Sequence, residues 1–95
     1  MDIKLDPSQE RILWALYDAG GFVKKVPPDI APPSGPERQE YYRACEWLQS
    51  QGFILDATDE VYGRTANVAF YALRLTDLGK SYCELHRARL QKSFG

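Results

Sequence analysis

The chain has little of what enzymes and metal proteins need. It contains one histidine, two cysteines and one methionine among 95 residues. The histidine, His86, has no acid or nucleophile at a catalytic spacing. The sequence also shows no phosphate-cradling glycine loop, no carboxylate pair and no run of metal ligands. We therefore expect no enzymatic activity, no bound metal and no cofactor.

The two cysteines lack the short spacing of a metal site. Cys45 and Cys83 both fall inside helical patterns. In such a position a free thiol is usually a small buried hydrophobic group rather than half of a disulfide. We expect two buried, unpaired thiols.

Long apolar runs are missing as well. The longest is Val68 to Leu73, which is far too short to cross a bilayer. The first ten residues, MDIKLDPSQE, lack the basic start and apolar stretch of a signal peptide. These absences predict a soluble, cytoplasmic protein with no membrane contact.

Charge of one sign does not dominate the chain, whose net charge is −1. It is unevenly spread, because residues 80–95 carry four Lys or Arg against one acid and the rest sums to −4. A basic end on an acidic body suits a nucleic-acid or acidic-protein partner. An ordinary solvated helix surface gives the same pattern, so both interpretations stay open.

Apolar residues, by contrast, are sufficient for one core. They make up 44% of the chain and include six Tyr, four Phe and two Trp. A chain of this length has room for a single core, so we expect one domain over residues 1–95.

Two long helices are well marked. The first has Asp6 as its cap, Pro7 in its first turn and Gln9 to complete a capping box, and it ends at Gly20. A short strand over 22–26 should follow. The second helix covers about 36–51, and its buried face is predicted at Tyr41, Ala44, Cys45 and Leu48.

A proline segment, residues 27–35, separates these helices and holds four of the six prolines. Each proline removes a backbone donor and disfavours helix at the residue before it. We expect at most a single turn at 29–31, with Ile30 anchored in the core.

The hydrophobic period changes after Gly52. Residues 53–57 read as one strand and 67–76 as another, joined as a long hairpin over about 56–70. A last helix over 77–94 should begin at a Thr76 cap.

Two stretches carry a resemblance to the winged helix-turn-helix superfamily. YYRACEWLQSQGFI, residues 41–54, is similar to the end of a recognition helix that enters the wing. YALRLTDLGKSYCELH, residues 71–86, resembles the last wing strand and following helix of small MarR-like and PadR-like regulators. The resemblance implies an α+β, mainly α, winged-helix fold: helix, short strand, reduced helix, helix, two-strand wing, C-terminal helix.

The resemblance also implies function. It places the helix at about 36–51 in the major groove of double-stranded DNA, with the wing at about 56–70 beside it. The residues that would contact DNA are Arg38, Gln39, Tyr42 and Arg43 on the helix, Arg64, Thr65 and Asn67 on the wing, and Lys24 and Lys25 before the proline segment. The same positions also suit a solvated helix face and a turn chosen for its backbone geometry.

The resemblance further implies a transcriptional regulator that binds DNA as a homodimer. The dimer would form through the last helix, at Leu78, Tyr82, Leu85 and Leu90. The alternative for this helix is simple packing on the body of its own chain.

Acids on the second helix support a different function. Glu37, Glu40 and Glu46 would repel phosphates, and the proline segment replaces the helix that usually crosses the DNA backbone. These features fit a protein-interaction module, such as an adaptor or a mobile-element-encoded inhibitor. A regulator that responds to a small effector, with a pocket at a dimer interface, is a third interpretation.

Overall fold

The computed structural model describes residues 5–64 and 68–95. Within them the chain forms an α+β, mainly helical fold of five helices and three strands. In chain order these are α1 (Pro7–Asp18), β1 (Phe22–Val23), α2 (Pro36–Ser50), β2 (Ile54–Asp56), α3 (Thr58–Tyr62), β3 (Leu73–Leu75), α4 (Asp77–Leu85) and α5 (Arg87–Phe94). No helix in these two ranges is long and apolar enough to cross a bilayer.

Helix α1 begins and ends where its capping residues predict. The Asp6 backbone N–H donates to Gln9 Oε1 at 2.9 Å, and Pro7 occupies the first turn. At the other end Gly21, with φ +97°, donates its N–H to the Leu16 carbonyl at 2.7 Å. The predicted start, first-turn proline and glycine stop are all confirmed.

The three strands form one antiparallel sheet in the order β1-β3-β2. Val23 lies opposite Leu73, and Ile54 lies opposite Leu75. The predicted strands at 22–26 and 53–57 are present in shorter form. The predicted strand at 67–76 is wrong over residues 68–72, because only Leu73–Leu75 is extended.

The core lies between the sheet, α1 and α2. The predicted buried face of α2 is confirmed at Tyr41, Ala44, Cys45 and Leu48. Both thiols, of Cys45 and Cys83, are free and buried, and burial raises the pKa of each to about 12. They are therefore protonated at pH 7, and the prediction of two buried, unpaired thiols is confirmed.

The predicted single helix over 77–94 is wrong. It is divided at His86 into α4 and α5, and His86 adopts φ −108° and ψ 19°. The backbone bonds continue across the break, since His86 N–H donates to the Tyr82 carbonyl at 3.1 Å and Leu90 N–H to the His86 carbonyl at 2.9 Å. The break turns α5 onto α1, where Leu90 is fully buried.

A buried carboxylate holds this arrangement together. Glu10 on α1 is 6% exposed and accepts two bonds from the Arg89 guanidinium, at 2.8 and 2.6 Å. It also accepts a bond from the Tyr82 hydroxyl at 2.7 Å. Arg89 holds the pKa of Glu10 below its ordinary value even though burial acts in the opposite direction. The triad joins α1 to both α4 and α5.

The Glu10 triad predicts a specific pH dependence. Because the pKa of Glu10 is lower in the folded chain than its ordinary value of 4.5, its stabilisation is present above pH 4.5 and is lost as pH falls through the folded pKa. Urea unfolding between neutral and acid pH should show this loss. In Glu10→Gln the loss should be smaller, and stability at neutral pH should be lower. Glu84→Gln, which changes an exposed acid on α4, is the control and should keep the parental pH profile. An equal acid-induced loss in Glu10→Gln and the parent would contradict the role of the triad.

Candidate nucleic-acid interface

Helix α2 presents a mixed outer face. Gln39 and Arg43 are exposed as predicted, and Tyr42 is half-buried against the core. Three acids, Glu37, Glu40 and Glu46, are exposed on the same helix. The exposed surface of α2 therefore combines amide and guanidinium groups, which are of the kinds that can bond base edges, with carboxylates, which repel phosphate.

Arg38 is engaged within the molecule. One guanidinium nitrogen donates to the Pro32 carbonyl at 3.0 Å and another donates to the Tyr42 hydroxyl. The guanidinium also lies over the Tyr42 ring, 4.8 Å from its centroid. Arg38 thus fixes the proline segment to the start of α2. The segment itself forms the single turn predicted around Ile30, whose N–H donates to the Pro27 carbonyl at 3.0 Å.

The segment predicted as an extended wing contains a helix. Residues Thr58–Tyr62 form α3, so the prediction of a simple hairpin over about 56–70 is wrong in its backbone. The reason is the Asp56 carboxylate. One oxygen accepts the Thr58 N–H at 3.0 Å and the Thr58 hydroxyl at 2.5 Å, and the other accepts the Phe70 N–H at 3.1 Å.

Thr58 completes this network. Its hydroxyl oxygen accepts the N–H groups of Tyr71 and Ala72, at 2.9 and 3.1 Å, and the residue is 1% exposed. These amides bond a side chain instead of a strand, which explains why residues 68–72 are not extended. Phe70 has φ +56° and is held by the Tyr41 hydroxyl, which donates to its carbonyl at 2.5 Å. The one signal in the sequence is Asp56 two residues before Thr58, a spacing typical of side-chain-closed turns.

Predicted DNA-contacting residues meet beside this network. The Tyr62 hydroxyl donates to the Lys24 carbonyl at 2.7 Å, and Lys25 Nζ lies 5.9 Å from the centroid of the Tyr71 ring. The Tyr62 and Tyr71 rings pack edge to face at 5.3 Å. Arg64 is exposed two residues after Tyr62. We call Lys24, Lys25, Tyr62, Arg64 and Tyr71 the wing-base cluster; Thr65 and Asn67 lie outside the described residues.

The wing-base cluster is joined to α2 through Phe70. The Phe70 ring lies 6.2 Å from the ring of Tyr42 on α2, and Phe70 directly precedes Tyr71 of the cluster. Nearby, Glu60 is bound to Arg74 at 2.9 Å, so its charge is offset. The link to α2 thus runs through the Phe70 and Tyr42 rings; of the cations, Lys25 lies over the Tyr71 ring, Lys24 is bonded to Tyr62 through its carbonyl, and Arg64 is exposed two residues after Tyr62.

The four residues predicted for a dimer interface do not share one surface. Leu90 is fully buried within the chain, and the Tyr82 hydroxyl bonds Glu10. Leu78 and Leu85 are exposed, at 51% and 78%. The packing of α5 on its own chain therefore accounts for Leu90 and Tyr82, and the exposed pair on α4 is what remains of the predicted stripe.

Comparison with protein-family models, curated proteins and solved structures finds no match to this chain. Among residues 5–64 and 68–95, no group of three or more His, Cys, Asp or Glu side chains is placed to hold a metal ion.

The Thr58 hydroxyl predicts a measurable stability difference. Thr58→Val preserves shape but leaves the Tyr71 and Ala72 amides without a partner, so we expect a loss of about 2–4 kcal/mol in the free energy of unfolding. Thr58→Ser keeps the hydroxyl and loses one buried methyl, for about 1 kcal/mol. Chemical denaturation of the two variants side by side measures the difference. Equal stability of the valine and serine variants would show that the hydroxyl does not close this segment.

Proposed function

We propose that this chain is a DNA-binding protein of the winged-helix type and acts as a transcriptional regulator. The observation that carries the proposal is the wing-base cluster, in which Lys24 and Lys25 contact the packed rings of Tyr62 and Tyr71, and Phe70, the neighbour of Tyr71, packs on Tyr42 of α2. The strand order β1-β3-β2, with α2 leading into β2, supports the winged-helix assignment that the sequence resemblance implies.

In this proposal the two surfaces have different tasks. The wing-base cluster neutralises phosphates, which supplies most of the affinity and no sequence information. Gln39 and Arg43 on α2 face the bases, where glutamine suits adenine and arginine suits guanine. Arg38 positions α2 rather than contacting DNA, because its guanidinium is already bonded to Pro32 and Tyr42. Leu78 and Leu85 are the exposed apolar pair through which a two-fold dimer would present two copies of α2.

Salt dependence tests the proposal directly. If each protomer neutralises about four phosphates, the logarithm of affinity should fall with log salt at a slope near −3.6. In Lys24→Gln/Lys25→Gln that slope should fall to about −1.8, with weaker binding at every salt concentration. The measurement is fluorescence anisotropy with a labelled duplex of mixed sequence at low salt.

The matched control for this experiment is Lys80→Gln/Lys92→Gln, which removes two exposed lysines from α4 and α5. It removes the same net charge and should change affinity far less. An equal effect of the two pairs would show that the wing-base cluster is not the preferred site of phosphate contact. Absence of any binding at roughly tens of micromolar protein in low salt would reject DNA as the partner, since non-specific binders reach that range.

A second candidate function, a protein-interaction module, is favoured by the charges on α2. With Arg38 engaged, Arg43 is the remaining cation of α2, against three exposed acids on the same helix, Glu37, Glu40 and Glu46. The Lys24→Gln/Lys25→Gln variant, which leaves α2 unchanged, separates the two functions. If the chain acts on DNA, anisotropy should show weaker duplex binding. If it acts through a protein, the variant should still retain a stoichiometric partner in a pull-down treated with nuclease.

A further inference from the structure

A groove follows the seam where α1 meets α2, the proline segment and α5. It consists of three depressions of about 460, 220 and 540 Å³. The first two share Ser8, Glu40 and Ala44, and the last two share Arg11, Asp29 and Ile30. The shared residues make the depressions one continuous surface, which we call the α1 groove.

Apolar side chains lie at three points along the α1 groove. Trp47 lies at one end, Ile30 near the middle and Phe94 at the other end, and all three are only partly buried against the core. Fully buried Ile12 and Tyr41 lie beneath them. Apolar side chains of a partner would therefore find three successive contacts, which is how peptide grooves obtain their affinity.

The groove exists because of the proline segment. This segment forms one turn, in which the Ile30 and Ala31 amides both donate to the Pro27 carbonyl, at 3.0 and 2.8 Å. Pro32 and Pro33 follow and cannot continue a helix. The proline segment, which is not a regular helix, thus passes over the contact between α1 and α2 at Ile30 and Pro32. The depressions lie on either side of this segment.

The rim of the groove is acidic. Five carboxylates and two guanidinium groups line the three depressions, for a net charge of −3. Those groups are Asp6, Asp18, Asp29, Glu37, Glu40, Arg11 and Arg43. A guanidinium nitrogen of Arg11 lies 3.6 Å from a carboxylate oxygen of Asp29, and both side chains are exposed. The pair therefore neutralises little of the negative charge of the rim, and Asp29 can pair with another cation instead. Charge complementarity selects a basic occupant.

We propose that the α1 groove binds a basic segment of a partner protein. Leucine-like side chains of that segment pack on Trp47, Ile30 and Phe94, and its lysines or arginines pair with Asp29, Glu37 and Glu40. The groove shares no residue with the wing-base cluster, and Arg43 is the one residue that both lines the groove and belongs to the proposed base-contacting face of α2. The proposal gives the second candidate function a location and a partner chemistry.

Three labelled peptides test the proposal. The probe is a fluorescein-labelled peptide of about twelve residues that alternates lysine and leucine. Its two counterparts have glutamate in place of lysine or serine in place of leucine. Anisotropy should show binding of the lysine–leucine peptide with a Kd of about 10–100 µM, typical of a weak interface, and at least about tenfold weaker binding of both counterparts.

Two pairs of variants locate the binding. Ser8→Trp fills the groove where two depressions meet and should weaken the peptide at least about tenfold, whereas Ser81→Trp, on exposed α4, should not. Asp29→Asn/Glu37→Gln/Glu40→Gln should weaken it by about tenfold. The control Asp59→Asn/Asp77→Asn/Glu84→Gln removes the same charge from exposed positions outside the groove and should have little effect. Thermal unfolding confirms that each variant is folded.

Several results would overturn the inference. If a groove variant and its control weaken peptide binding equally, the peptide does not bind in the groove. If the glutamate peptide binds tightly, the acidic rim does not select a basic partner. A parent chain that self-associates, and that becomes monomeric with Ser8→Trp, would identify a second copy as the occupant. The Lys24→Gln/Lys25→Gln variant should keep its affinity for the peptide even if it loses affinity for DNA. A failure of the DNA proposal can therefore be distinguished from a failure of the groove proposal.

Discussion

A carboxylate buried on α1 is the group that binds the two C-terminal helices to the rest of the molecule. An ionised Glu10 inside an apolar core is costly unless it is fully bonded, and its partners, Tyr82 and Arg89, come from two different helices. The chain bends between them at His86, and beyond the bend Leu90 is buried and Phe94 lies at the end of the α1 groove. The buried charge on the first helix therefore binds both of the last two helices.

A second polar centre shapes the surface that we assign to DNA. Asp56 and Thr58 bond the amides of Phe70, Tyr71 and Ala72, so the chain between β2 and β3 is closed at its base instead of forming a long ribbon. Closure places Tyr71 against Tyr62; the Tyr62 hydroxyl bonds the Lys24 carbonyl, and the Lys25 ammonium lies over the Tyr71 ring. The segment between β2 and β3 is thereby tied to the residues that follow β1.

The sequence predicted the elements that local signals determine. The ends of α1 and the buried face of α2 depend on caps, glycines and helical periodicity within a few residues, and both were confirmed. Helix α3 was missed although Asp56, two residues before Thr58, is a local signal for it. The bonds that tie Thr58 to Tyr71 and Glu10 to Arg89 span 13 and 79 positions, so no local pattern shows the non-extended segment before β3 or the packing beyond His86. Lys24, Lys25 and Arg64 were singled out one by one, but the contact of Lys24 with Tyr62 spans 38 positions and no local pattern encodes it. The α1 groove has no sequence motif, since it is formed by the space that a short proline segment leaves open.

The proline segment has an additional consequence for recognition. Its fixed backbone angles leave few alternative conformations even in the unfolded chain, so a small number of anchors, Ile30 and the Arg38–Pro32 bond, is enough to hold its shape. A groove walled by such a segment is already formed before any partner arrives. On binding, the partner segment would lose conformational entropy, but the groove would not, because it is already ordered. A short contact in a shallow groove can be selective under that condition.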